Sequence, residues 1–483
     1  MNRKMVFYTT GQLVLLEAVL FLLPMLVSLI YREACGTAFL ISAGIAAMVG
    51  VLMMALTRPK NRVIYAREGF LITTLSWVLL SAIGALPFYL SGEIPLYVDA
   101  LFETVSGFTT TGASILPNVE ILSRGVLFWR SFTHGIGGMG VLVLMMAILP
   151  PSEGDSGRSI HIMRAEMPGP VVGKIVPRVR ETAKILYLIY IGMTVLNFLL
   201  LLAGGMPVFD SLLHTFGTAG TGGFGVKADS ITGYSPYSQW VITVFMLLFG
   251  INFNLYYLLL TKNFRSALRS TELWCYLGIV SAATAVITCS ILPMYNSIGE
   301  SFRHAAFQVA SIITTTGYAT TDFDLWPQLC KGVLFLLMIV GACAGSTGGG
   351  MKVSRVVILA RSAKQNLRRM LHPRSVRVVH FEGKPVEQTT LEGLSTYMTL
   401  YFFMILLGFL VLCLDVFDFE TNLSAIVSCF NNIGPGFGAV GPSLSYAGYS
   451  TLSKLVLSAA MMLGRLEIIP ILIAVSPSTW LKK

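Results

Sequence analysis

DALFETVSGFTTTGAS, at residues 99–114, is too short and too rich in Gly and Thr to cross a bilayer, yet it lies between long apolar runs. Three further segments read against it without gaps: DSLLHTFGTAGTGGFG at 210–225, HAAFQVASIITTTGYA at 304–319 and TNLSAIVSCFNNIGPG at 421–436. The fourteenth position is Gly in all four (Gly112, Gly223, Gly317, Gly434), the eighth is small (Ser106, Gly217, Ser311, Ser428), and the twelfth is Thr110, Thr221, Thr315 or Asn432. The shared glycines are 111, 94 and 117 residues apart, and each interval holds two apolar runs. Self-similarity at such a period denotes one structural unit used four times. The unit reads as helix, short half-helix with a loop, helix, and four copies can surround an axis.

Irregular backbone at membrane depth is tolerated only where it is buried in protein or lines water. A Gly-centred loop can turn successive carbonyl oxygens toward a common axis, where a side chain would obstruct. Four such loops would offer oxygen rings able to replace the water shell of a monovalent cation. The apolar start of each segment suits a short re-entrant helix, whose carboxyl end adds partial negative charge near the ion.

The rest of the chain agrees with a bilayer as solvent. Of 483 residues 54% are hydrophobic and 12% charged, with 34 Lys plus Arg against 24 Asp plus Glu and a mean hydropathy of +0.73; that charged fraction is about half the usual share in soluble domains. Apolar runs predict ten transmembrane helices near 12–31, 37–57, 70–91, 125–149, 184–203, 238–261, 273–293, 332–350, 394–414 and 454–475, each long enough to cross a bilayer core. The loops on the side of the termini carry 26 basic and 9 acidic residues, and those opposite carry 7 and 13. The positive-inside rule therefore puts both termini in the cytoplasm. Seven scattered cysteines suggest neither a disulfide framework nor a transition-metal site.

FTTTGAS at 108–114, TGGF at 221–224, TTTGYAT at 314–320 and FNNIGPGFG at 430–438 resemble the four pore loops of the Trk/Ktr/HKT potassium transporter superfamily, most closely its bacterial TrkH branch. The resemblance implies an all-α polytopic membrane protein: four re-entrant pore helices in pseudo-fourfold helix–pore–helix repeats around one ion pore. The units would be an accessory helix pair over 1–69 and pore repeats over 70–150, 151–262, 263–392 and 393–483. It also implies K⁺ uptake through the bacterial inner membrane, a homodimer, and a cytosolic TrkA-like ring binding ATP/ADP or NAD(H), with no nucleic-acid partner. By position, Thr110, Thr111, Gly112, Thr221, Gly222, Gly223, Thr315, Thr316, Gly317, Asn432, Ile433 and Gly434 would line the K⁺ filter, mainly through backbone carbonyls. Only the central Gly of each loop matches the fuller TVGYG of potassium channels, so the oxygen rings are fewer.

GACAGSTGGGMK at 341–352 is a poor helix, with five Gly and two Ser/Thr. It reads either as close packing of small residues or as an intramembrane loop obstructing ions. The latter resembles the TrkH gating loop, here Gly341, Ala342, Cys343, Ala344, Gly345, Ser346, Thr347, Gly348, Gly349 and Gly350. The basic stretch after it (Lys352, Arg355, Arg361, Lys364, Arg368, Arg369) reads as a link to a regulator or as an anchor on anionic lipid. Arg465, deep in the last span, wants a polar pathway. It would face the pore as a barrier to K⁺, at a place where TrkH resembles it in having an arginine, or pair locally with Glu467.

GIGGMG at 135–140 suits close helix packing, His134 a polar packing role, and Glu17 a buried carboxyl. An enzyme is not indicated, because the six His are dispersed. The alternative within transport is a Na⁺- or H⁺-coupled K⁺ symporter of the same fold, which would place acidic side chains around the pore.

Overall fold

A computed structural model describes residues 2–59, 64–138, 140, 179–372, 378–466 and 468–480. Six helical stretches in it are long and apolar enough to cross a membrane. They are Arg3–Leu20 continued by Leu22–Tyr31, Gly36–Leu56, Ala66–Gly84 continued by Leu86–Leu90, Val179–Ala203, Thr271–Ile291 and Gln388–Leu412. Two sharply bent pairs raise the number to eight if each pair is one span. The only described sheet is a two-residue ladder, His380–Phe381 against Lys384–Pro385.

Three of the ten expected runs are not single continuous helices. The run 238–261 is two helices, Pro236–Phe249 and Phe253–Leu260, meeting at 90°. The run 454–475 is likewise divided into Thr451–Leu466 and Ile468–Val475. The run 332–350 is helical only over Gln328–Val340, because Gly341, Gly345 and Gly350 adopt φ near +71°. Of 125–149, the helix Arg124–Gly138 is described, whereas 139 and 141–149 lie outside the described residues.

The N-terminal pair packs unusually close. A Cβ on Gly50 would stand 2.9 Å from the Gly11 carbonyl oxygen, and one on Gly11 3.0 Å from that of Gly50; small residues permit such approach where lipid supplies no hydrophobic drive. Phe21 then packs against Trp129 with the rings tilted and their centroids 4.6 Å apart, and the Trp129 indole donates to Gly84 O at 3.0 Å. The pair is thereby joined to the helices beside the first Gly/Thr loop.

Four short helices stop in mid-protein: Tyr97–Phe108, Val208–Gly220, Ile298–Ile313 and Phe419–Phe430. Each has an acid in its first turn, Asp99, Asp210, Glu300 or Glu420, which favours the positive end of the helix dipole. All four end alike. The N–H of Thr110, Thr221, Thr315 and Asn432 reaches the carbonyl three residues back. The next N–H, from Thr111, Gly222, Thr316 and Ile433, reaches five back, to Ser106, Gly217, Ser311 and Ser428, at 2.8–3.0 Å. This is a Schellman cap, whose left-handed residue is usually Gly. Here it is Thr110, Thr221, Thr315 or Asn432, at φ 53–58°, a conformation that costs about 1–2 kcal/mol for a residue with a Cβ.

Replacing Gly50 by Leu should lower the unfolding free energy by about 1–3 kcal/mol through overpacking against Gly11, read as a fall in the thermal midpoint of detergent-purified protein. Gly50→Ala should cost less.

Candidate functional site

The four loops meet one another in a closed cycle. A Cβ on Gly112 would run into the carbonyl oxygen of Gly222, one on Gly223 into that of Thr316, one on Gly317 into that of Ile433, and one on Gly434 would lie 2.7 Å from that of Thr111. Each glycine therefore presses its bare α-carbon against the thirteenth position of the next loop. Such a cycle requires all four loops to converge about one axis. All four glycines also have φ between 75° and 101°, so a side chain is excluded by conformation as well as by space. Thr110, Thr111, Thr221, Thr315, Thr316, Asn432 and Ile433 are fully buried around them. The four glycines line a common cavity of about 80 Å³ together with Ser114, Arg130, Lys227 and Tyr446.

Side chains behind the loops hold this cycle. Glu103, on the first short helix, accepts from Ser114 Oγ at 2.9 Å and from the Ile115 N–H at 3.0 Å. Its carboxylate pairs with Arg130 at 2.6 Å, both side chains being buried. Arg130 in turn donates to Gly225 O at 3.1 Å and lies 3.5 Å over the Phe224 ring. His134, one turn along, receives the Phe224 N–H at Nε2 (3.3 Å) and stands 2.8 Å from Gly107 O at Nδ1. Only the tautomer protonated at Nδ1 satisfies both contacts. One helix thus ties the first loop to the second. Tyr318 ties the second to the third, donating to Phe224 O at 3.3 Å. Asn432 Nδ2 donates to Thr111 Oγ1 at 3.0 Å, and the Tyr446 N–H reaches Ser114 O at 2.8 Å. These close the fourth loop on the first.

Residues 341–350 lie directly against one side of the cycle. The Gly349 N–H donates to Thr315 Oγ1 at 2.6 Å. A Cβ on Gly349 would stand 2.6 Å from Asn431 O, and one on Gly348 2.9 Å from Thr314 O. Ala342, Cys343 and Thr347 are fully buried. The segment also explains the 90° bend: the Cys343 N–H bonds to Gly250 O at 3.1 Å, the Phe253 N–H to Gly345 O at 3.0 Å, and Thr347 Oγ1 to Phe249 O at 3.2 Å. Backbone groups left over where the helix breaks are those the intruding segment satisfies.

Arg465 joins this segment to another helix end. Its guanidinium donates to Thr347 O at 2.7 Å and to Gly137 O and Gly138 O at 2.6 and 2.7 Å. Gly137 itself packs against Phe108 O, and Gly138 against Gly220, so the GIGGMG stretch serves close approach. Glu467, considered as a local partner, lies outside the described residues.

With this geometry, a family described as TrkH, "Cation transport protein", matches residues 36–482. The chain belongs to the TrkH family. It is similar to "Trk system potassium uptake protein TrkH" of Salmonella typhimurium, at 36% identity over 97% of this chain and 98% of the relative. It is also similar to "Trk system potassium uptake protein TrkG" of Escherichia coli K12, at 34% over 99% and 98%. Its fold is similar to the crystal structure of the potassium transporter TrkH from Vibrio parahaemolyticus, with a TM-score of 0.89 at 31% identity over the whole of both chains. The chain is a multi-pass membrane protein of a transporter family, not an enzyme family.

Several residues that hold the cycle of loops escape a reading for loops alone. Arg130, one of the seven basic residues counted opposite the termini, is buried behind the cycle. The fifth position of the repeat carried the signal, since Glu103, His214 and Gln308 are polar within apolar helices, and all three are fully buried. Tyr318 and Tyr446 carried no such mark.

Glu103→Ala should leave the Arg130 charge buried and unpaired, at a cost of about 3–5 kcal/mol. Thermal melting of the purified protein checks this, with Glu103→Gln expected to recover part of the loss through its remaining oxygen acceptor.

Proposed function

We propose that this chain carries K⁺ into the cell through a gated, channel-like pore whose filter is the cycle of four Gly loops. The relatives named above are potassium uptake proteins by their descriptions. The observation that carries the reading is the mutual contact of Gly112, Gly223, Gly317 and Gly434 with carbonyl oxygens of neighbouring loops. Backbone oxygens of Thr110, Thr111 and Gly112, Thr221, Gly222 and Gly223, Thr315, Thr316 and Gly317, and Asn432, Ile433 and Gly434 replace the hydration shell of the ion. The carboxyl ends of four short helices converge there, adding partial negative charge where the cation loses water.

In this reading residues 341–350 are the gate below the filter, since they lie against Thr314, Thr315 and Asn431. Arg465 adds a positive charge beside the gate and repels K⁺, limiting conduction. Both termini and the basic helix Val353–Leu371 face the cytoplasm of a bacterial inner membrane. There a TrkA-like ring binding nucleotide regulates a dimer of this chain. Coupling to H⁺ or Na⁺ finds less support in the site, because the Glu103 carboxylate behind the filter is already paired with Arg130. Glu17 sits beside Gly84, in the N-terminal pair.

Rubidium-86 uptake into liposomes containing the purified chain, with Na⁺ as competitor, tests the reading. Gly317→Ser forces a Cβ at φ +83° against Ile433 O, and uptake should fall roughly tenfold or more, as a loss of about 1.4 kcal/mol or greater at the filter gives. Unchanged uptake in folded protein rejects the assigned filter. Arg465→Ala should raise uptake; equal or lower uptake removes its barrier role.

A further inference from the structure

Glu272 lies far from the filter in sequence and in no repeat position, yet it is buried at 5% exposure in the first turn of the helix Thr271–Ile291. That turn is capped by Ser270 Oγ, which receives the Leu273 N–H. The Glu272 carboxylate is therefore free to turn to another element. Its Oε1 accepts the Ala344 N–H at 2.7 Å and the Ser354 N–H at 3.1 Å. One donor lies inside the segment 341–350 and the other in the first turn of the helix that follows it. A single oxygen thus staples the two ends of the stretch that presses on Thr315.

The helix bearing Glu272 is held in turn from outside the membrane-spanning part. Glu382, at the turn of the small hairpin, accepts from Ser270 Oγ and from the Glu272 N–H, both at 3.0 Å. The hairpin also belongs to the helix after the gate: Arg361 donates to His380 O at 2.6 Å, and Ile358, Phe381 and Leu394 form one small core. The hairpin thus contacts both the helix Val353–Leu371 and the turn carrying the residue that clamps its start.

We infer that Glu272 is a positioning residue for the gate: its carboxylate latches residues 344–354 in the closed arrangement, and the hairpin, through Glu382, is the handle by which a cytosolic force releases it. This rests on the reading of 341–350 as the gate. Removing the side-chain oxygen leaves two buried N–H groups without their acceptor. The closed arrangement loses that stabilisation, whereas the filter loops, which Glu272 does not touch, keep theirs.

The test uses the full chain in liposomes without any partner, and three variants. Glu272→Ala removes the acceptor. Ser354→Pro removes one donor in a first helical turn, where proline is tolerated. Glu272→Gln keeps an oxygen of the same reach. Rubidium uptake, the ratio of rubidium to sodium uptake, and labelling of the buried Cys343 by a water-soluble methanethiosulfonate, read at that residue by mass spectrometry, are followed together. Glu272→Ala and Ser354→Pro should raise uptake roughly fivefold or more, the scale of one such hydrogen bond, and should expose Cys343 to label. The ion ratio should stay where it was, and Glu272→Gln should recover most of the low uptake. Monodisperse variants with uptake and Cys343 labelling unchanged or lower overturn the latch, as does a shifted ion ratio, which would mean a filter distorted rather than a gate released. Deleting 346–348 separates the two ideas. If the deletion raises uptake while Glu272→Ala does not, the latch alone fails; if neither does, the gate reading fails with it.

Discussion

A bare α-carbon pressed against a carbonyl oxygen, repeated four times around an axis, is the constraint on which the rest of this molecule depends. It fixes glycine at 112, 223, 317 and 434, because both the space and the positive φ forbid a side chain. It also demands that four helices deliver their last turns to one place with the same exit geometry. The Schellman caps do this, at the cost of putting Thr110, Thr221, Thr315 and Asn432 into a left-handed conformation that favours glycine. Strain of this kind persists only where the surroundings over-determine it. The ion pair, histidine and tyrosines packed behind the loops supply those surroundings.

The loops share a backbone but not a buttress. The first and second are joined through Arg130 and His134 on one helix, the second and third through Tyr318, and the fourth and first through Asn432 and Tyr446. Asn432 differs from the three threonines at its position because its longer side chain reaches both Thr111 and Met461 O. Beneath the cycle the symmetry is lost altogether. One segment, 341–350, intrudes against the third and fourth loops, and the helix of residues 236–260 breaks to make room for it. The pseudo-symmetric cycle is thus flanked by an asymmetric segment that touches two of its four loops.

Much of this is legible in the sequence alone. The apolar runs, the Gly/Thr segments and the Gly-rich stretch after Val340 all declare themselves by composition, since bilayer thickness sets run lengths and Gly marks special dihedrals. What stayed hidden has a common cause. Gly250 and Asn252 inside an apolar run look like tolerable helix residues until an intruding backbone at 343–347 takes up the hydrogen bonds the break releases. Arg130 is one more basic residue near the start of an apolar run until Glu103, 27 residues earlier, is found 2.6 Å away.

The sequence by itself determined the bilayer as solvent, the recurrence of one Gly-centred segment and the places where helices must end, because these follow from local composition and dihedral preference. Only the tertiary structure decided that the recurring segments touch in cyclic order, which buried charges pair behind them, and that Arg465 spans Thr347 and the end of the helix Arg124–Gly138. Those are contacts between groups tens to hundreds of residues apart. Periodicity and propensity act over a few turns, so the partner of a distant polar group is chosen by the packing of whole helices rather than by its neighbours in the chain.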